Sequence, residues 1–193
     1  MFKQLHSLLV SGVLLSSVST VSQALMIDIT PNFQSVFVGE SVSVDIVASD
    51  VSNAGGLGDF DFDLSFDDSI LNFDSVTFGT GLGFGLQDSS ALGGSLNINE
   101  VSFESEAYLL ANQADSFILA TINFTASAIG LSDVAFDSIW ALGDAGGNAI
   151  DPFNTSNASI EVLQRSASVP EPSALALLSL GLGLMVLRHR KSA

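Results

Sequence analysis

Asp59, Asp61 and Asp63 alternate with Phe60, Phe62 and Leu64, and a second polar group, Asp144, Asn148 and Asp151, surrounds Gly146 and Gly147. Oxygen donors in such number suit calcium, which takes about 6 to 8 carboxylate and carbonyl oxygens. The Asp59 run supplies the first three acidic positions of an EF-hand loop. Leu64 and Ile70, however, stand where that loop requires its glycine and its bidentate glutamate, so the motif is excluded. Two candidate calcium sites remain: the loop of Asp144, Asn148 and Asp151, where glycines give the backbone freedom to wrap an ion, and the Asp67-Asp68 turn beside Asp63. The same side chains serve equally well as solvated turn residues that cap strand ends. No cofactor is required by any pattern in the chain.

Catalysis is poorly supplied. All but one of the 21 Asp and Glu fall between residues 25 and 164, a stretch with no Lys, Arg or His, and the whole chain has no Cys. Ser-His-Asp, Cys-His and Schiff-base mechanisms are thereby excluded from that stretch. Paired carboxylates could still hydrolyse a glycoside. Residues two apart on a strand lie roughly 6.6 Å from each other, so with this many acids proximity distinguishes nothing. A formal net charge of -16 removes nucleic acid as a partner, because its phosphates would be repelled. Sugar recognition needs exposed aromatic rings, and Trp140 and Tyr108 are the only Trp and Tyr. Both are candidate carbohydrate contacts, although Ile139 and Leu142 beside Trp140 point to a core position for the indole, and the alternating Phe residues are expected in the core as well.

These side chains sit on a pattern of short strands. Period-two alternation is clearest over Asp59 to Phe66 and Ser41 to Ala48. Further β-rich runs cover Leu25 to Thr30, Gln34 to Val38, Phe73 to Phe78, Ser95 to Phe103, Phe117 to Ala126, Ser132 to Phe136 and Ala158 to Leu163. Gly, Asn and Asp turns between them predict an all-β, antiparallel sandwich. The one helical signal is Glu104 to Ala114, around Tyr108-Leu109-Leu110. One domain, residues 25–164, accounts for the 193-residue length once terminal segments are set aside.

Those terminal segments carry an address. Lys3 precedes the apolar run from Leu8 to Leu15, and Ser22-Gln23-Ala24 offers small residues at the -3 and -1 positions of a cleavage site, which predicts a signal peptide over 1–24 cut after Ala24. Ser173 to Leu187 is uncharged and is followed by Arg188, His189, Arg190 and Lys191. As a helix this run spans about 22 Å, short of a hydrocarbon core of roughly 30 Å, and such a length also suits a buried core helix. The basic cluster favours a membrane segment over 174–193 with its cationic end in the cytoplasm and residues 25–168 outside it. A linker, 165–173, joins domain and segment.

Within the linker, Pro170-Glu171-Pro172, the apolar run and the basic end at Arg188, Arg190 and Lys191 resemble the PEP-CTERM sorting signal. The resemblance implies recognition by an exosortase-type processing enzyme at the inner membrane, then delivery to the cell surface or exopolysaccharide matrix. Pro170 and Pro172 hold the triplet extended, which suits presentation to a processing enzyme and equally suits a stiff linker to a permanent anchor. A second resemblance rests on Val38-Gly39-Glu40-Ser41-Val42, on Asp61-Phe62-Asp63-Leu64-Ser65-Phe66-Asp67-Asp68-Ser69-Ile70-Leu71 and on Phe117 to Phe124. These are similar to strand motifs of cohesin domains. That implies a jelly roll of about nine strands, akin to carbohydrate-binding modules, whose relatives dock protein partners. The expectation is a non-enzymatic, exported β-sandwich that binds another surface protein or a polysaccharide. A carbohydrate-binding module is the alternative, and a carboxylate-only glycosidase the third reading.

Overall fold

The structure is a computed structural model, and it describes residues 24–165. The signal peptide up to residue 23, the Pro170-Glu171-Pro172 triplet and the segment ending in Arg188, Arg190 and Lys191 lie outside the described residues. No helix among the described residues is long and apolar enough to cross a membrane.

Among the described residues, eleven strands form two sheets. One holds, in order, β10 (Phe153–Ser156), β1 (Leu25–Thr30), β3 (Ser41–Ser49), β8 (Ser116–Ala126) and β5 (Leu71–Phe78). The other holds β2 (Phe33–Phe37), β11 (Ala158–Leu163), β9 (Gly130–Gly143), β4 (Asp59–Ser65), β7 (Ser95–Ser102) and β6 (Gly85–Leu92). The core lies between them. Phe60, Phe62 and Leu64 point inward from β4, Val42, Val44 and Ile46 from β3, and Ile122 and Phe124 from β8, all buried. The aromatic rings interlock: Phe60 stacks on Phe62 with centroids 5.0 Å apart, and Phe136 meets Phe62 edge-on at 5.4 Å.

The all-β sandwich matches the alternation, with two differences. Both sheets are mixed rather than antiparallel, because β1 runs parallel to β10 and β2 parallel to β11. Pro31 has no N–H to continue a ladder, so the first extended segment breaks there and its halves enter opposite sheets. There are also eleven strands rather than nine. The edge strand β6, Gly-Leu-Gln-Asp-Ser-Ser-Ala-Leu, is exposed along nearly its whole length, and β10 has only four residues, so neither shows a buried period of two. Strand β9 extends well past Phe136. Its register against β4 shifts between Asp61 and Phe62 and again between Asp63 and Leu64, and each bulge interrupts the alternation.

Turn chemistry closes the hairpins. Gly93, at φ +59°, and Gly94 link β6 to β7, and a Cβ on Gly94 would stand 2.3 Å from the Phe66 carbonyl. Asp67 Oδ1 accepts the Ser69 N–H at 2.9 Å, an Asx turn after β4. The predicted helix is α1 (Glu106–Asn112), capped by Ser105, whose side chain accepts the Tyr108 N–H. Gln113 then pins it to the sandwich, accepting from Leu57 N at 2.9 Å and donating to Leu57 O at 2.6 Å.

Among the described residues, Glu100 is the only buried carboxylate, facing inward from β7 with Gln87 Nε2 donating to it at 2.9 Å. Burial raises its pKa above 4.5, and the Gln87 hydrogen bond offsets this only in part. The folded state therefore holds this proton more tightly than the unfolded chain. Stability is lost as pH rises above the unfolded value, and the penalty persists at neutrality. Glu100→Gln, which keeps the shape, is expected to raise the melting temperature by a few degrees at pH 7 and by nothing at about pH 3.5. Parallel thermal melts at the two pH values check this.

Candidate binding face

The outer surface of the six-stranded sheet brings together Asp59, Asp61, Asp63 and Trp140 from among the side chains that the sequence offers for recognition. Alternation on β4 sends Asp59, Asp61 and Asp63 outward because Phe60, Phe62 and Leu64 occupy the core. Register then sets Asn97 opposite Asp63 and Asn99 opposite Asp61. Asn97 Nδ2 donates to Asp61 Oδ1 at 2.7 Å and to Asp63 Oδ1 at 2.9 Å, and Asn99 Nδ2 donates to Asn97 Oδ1 at 3.1 Å. From the other side Trp140 Nε1 donates to Asp63 Oδ2 at 2.6 Å. The Trp140 hydrogen bond first, and the Asn97 one second, hold the Asp63 carboxyl below its ordinary pKa. It therefore stays ionised and fixes the indole in place.

Trp140 is not in the core. It is 69% exposed, because it falls at the first β9 bulge, where Ile139 pairs with Phe62 and Ala141 with Asp61 and the residue between has no partner. The alternating Phe60, Phe62 and Phe66 are buried as expected, whereas other Phe residues are exposed. Phe84 and Phe103, 72% and 61% exposed, meet edge-on at 5.8 Å just beyond the ends of β6 and β7. Leu86 and Val101 continue that exposed row as a cross-strand pair. The face thus has an acidic, amide-braced centre, one large flat ring and an apolar margin.

The candidate calcium residues are engaged differently. Asp144 Oδ1 accepts from Gly146 N at 2.8 Å, Asn148 N at 2.8 Å and Asn148 Nδ2 at 3.2 Å. Hydrogen bonds from Asn148, backbone first, lower its pKa. An ion at this loop would have to displace those bonds. Asp151 and Asp144 line one cavity of about 330 Å³ with Asn53 and Pro152. Asp63 is bound into the sheet-face ladder, and Asp67 takes both the N–H and the hydroxyl of Ser69, while Asp68 lies in the turn after it. No group of three or more acidic or imidazole side chains placed to hold a metal occurs among the described residues. Tyr108, on α1 and 45% exposed, lines a separate cavity that excludes Trp140.

Asn97, Asn99, Leu86, Val101, Phe84 and Phe103 were not singled out by sequence reasoning. Asn97 and Asn99 alternate with Leu96 and Ile98 within an expected strand, which marks them as outward, but only strand pairing shows that they brace Asp61 and Asp63.

Comparison with known proteins agrees with this architecture. The family model for the cohesin domain matches residues 29–162, and that for the PEP-CTERM protein-sorting motif matches residues 168–191. Among solved structures, a non-cellulosomal cohesin from Archaeoglobus fulgidus is similar with a TM-score of 0.59 at 15% identity, covering 75% of this chain and 94% of that one. A cohesin in a type I cohesin-dockerin complex from Clostridium thermocellum gives 0.61 at 16%, covering 73% and 100%. A type II cohesin domain from the cellulosome of Acetivibrio cellulolyticus gives 0.61 at 17%, covering 72% and 95%. No curated protein matches the chain. By fold and by sequence together, this chain belongs to the cohesin domain family and carries a PEP-CTERM sorting motif at its C-terminal end.

Proposed function

We propose that this chain is an exported, non-catalytic binding module whose cohesin-type sandwich holds a protein partner on the outer face of β9, β4, β7 and β6. The observation that carries this reading is the Asp61-Asn97-Asp63-Trp140 ladder, a rigid hydrogen-bonded centre with an exposed indole and the apolar Leu86 and Val101 nearby. Interface anchors are typically Trp, Tyr or Arg set within supporting contacts that exclude water. Solved relatives whose descriptions name dockerins, from Clostridium thermocellum and Acetivibrio cellulolyticus, support a protein as the partner class. The domain brings no Cys, His or Lys to the face, so it supplies charge and shape rather than reactive groups. Its acidic centre suits a partner that presents Lys or Arg around an apolar spot. Direct adhesion to an acidic exopolysaccharide would be repelled unless a divalent cation bridged the two.

The C-terminal segment belongs to delivery. In this reading the precursor sits in the inner membrane with the sandwich outside the cytoplasm, and an exosortase-type enzyme acts near Pro170-Glu171-Pro172 before the domain reaches the cell surface or matrix. Mass spectrometry of the exported protein tests this directly. A chain beginning after Ala24 and ending near Pro172 is expected. Substituting Pro170, Glu171 and Pro172 together by Ala should leave a membrane-bound precursor that still contains Leu187. Intact full-length chain in the cytosol would overturn the reading.

A further inference from the structure

A second recognition site lies away from the sheet face. The loop from Gly79 to Gly83, helix α1 and the start of β8 enclose a cleft of about 470 Å³, within the range of roughly 300 to 1,000 Å³ that small-molecule sites occupy. In a domain whose surface is otherwise studded with carboxylates, none of the residues lining this cleft is charged. Its walls combine apolar surface with neutral polar groups. Tyr108, Phe117 and Ile118 supply the former, Thr80 and Asn112 the latter.

The walls are built before any ligand arrives. Gly79 N donates to Leu119 O at 2.8 Å, Gly83 N to Thr80 O at 3.1 Å, and Ser102 Oγ to Leu82 O at 2.6 Å, with the Leu82 side chain buried beneath the loop. The close fit needs glycine: a Cβ on Gly79 would lie 1.9 Å from the Ile118 carbonyl, and one on Gly81 would lie 2.0 Å from the Phe117 ring. On the facing side, Gln113 spends both ends of its amide on Leu57, and Asn112 Nδ2 donates to Tyr108 O at 2.8 Å. The Tyr108 hydroxyl, Asn112 Oδ1 and the Thr80 hydroxyl take no protein partner among the described residues and remain for a ligand.

We infer that this cleft binds a neutral sugar residue of a glycan, its apolar ring face against Tyr108 and its hydroxyls on Asn112, Thr80 and the loop backbone. A pyranose ring offers one apolar face and a rim of donors and acceptors, which is what a mixed aromatic and amide lining accommodates. An anionic sugar would gain no cation here and would meet the repulsion of the surrounding acids. A preformed cleft also keeps the ordering cost of binding small. The inference is independent of the protein-binding face, since Trp140 takes no part.

Calorimetric titration of the full chain tests it, solubilised in a zwitterionic detergent so that no sugar headgroup competes. The probes are the neutral tetrasaccharides of β-1,4-glucose, xylose and mannose, with tetragalacturonate as the anionic comparison. At least one neutral probe is expected to bind with Kd below about 1 mM, the range of weak specific association. Tyr108→Ala and, separately, Thr80→Glu should each weaken it at least tenfold, with unchanged melting temperature because both positions are exposed. Trp140→Ala should leave it unchanged. No heat from any neutral probe, equal binding of tetragalacturonate, undiminished affinity in both cleft variants, or loss on Trp140→Ala would each overturn the proposal.

Discussion

Phe62→Ala is expected to lower the stability of the domain by about 3 to 5 kcal/mol, the usual result of emptying a buried phenylalanine site. Phe62 is fully buried, stacked on Phe60 and met edge-on by Phe136. Its neighbours are held by β4, which is hydrogen-bonded on both sides, to β7 and β9. A strand clamped in this way cannot slide to refill the space, so the cavity term is expected near the top of its range. Against a total of about 5 to 15 kcal/mol, the loss moves the melting temperature down by roughly 10 to 20 °C. The outward neighbour provides the contrast. Asp61→Ala removes one acceptor of Asn97, which keeps its bond to Asp63, and should change stability by no more than about 0.5 kcal/mol. Calorimetric melts of both variants check the pair.

The other large effect is on binding. Trp140→Ala removes the indole that stands on the open sheet face and the N–H that holds Asp63. Truncating a tryptophan anchor typically costs about 2 to 4 kcal/mol of affinity, or roughly 30- to 1000-fold. The fold should be untouched, since the side chain is 69% exposed and fills no core space. Trp140→Phe helps to separate the two roles: it retains a smaller aromatic ring and loses the hydrogen bond to Asp63. Its affinity is expected to fall between those of the parent and of the alanine variant, as surface plasmon resonance with the partner would show. Raising the salt concentration should slow association in all three, because the acidic centre steers a cationic partner from a distance.

How far the amino-acid sequence foretold this depended on where each residue sits relative to the core. Strands with one wet and one dry face announced themselves: Asp59 to Phe66 reads as alternating acids and aromatics because Phe60, Phe62 and Leu64 meet the opposite sheet. Strand β6 hid, since an edge strand with almost no buried position carries no such imprint. Trp140 hid for a different reason. Its neighbours Ile139 and Leu142 are apolar, and only the bulge against β4 turns the indole outward, a pairing between residues far apart in the chain. The site was legible in part. Asp63 and Trp140 were each marked, one for a metal and the other for a sugar, yet the hydrogen bond that joins them depends on strand pairing. The parallel pairing of β1 with β10 and of β2 with β11 joins strands from opposite ends of the domain, and no local pattern states to which sheet each strand goes.

The most direct test of partner docking is site-specific photocross-linking in the native cells. A photoreactive phenylalanine analogue replaces Asn99, on the proposed face, or Thr77, exposed on the outer side of the opposite sheet. A discrete protein adduct from position 99 that is absent from position 77, and that disappears when Trp140→Ala is added, is the predicted result. Adducts of equal yield from both positions, or an adduct from position 99 indifferent to Trp140, would contradict binding at this face.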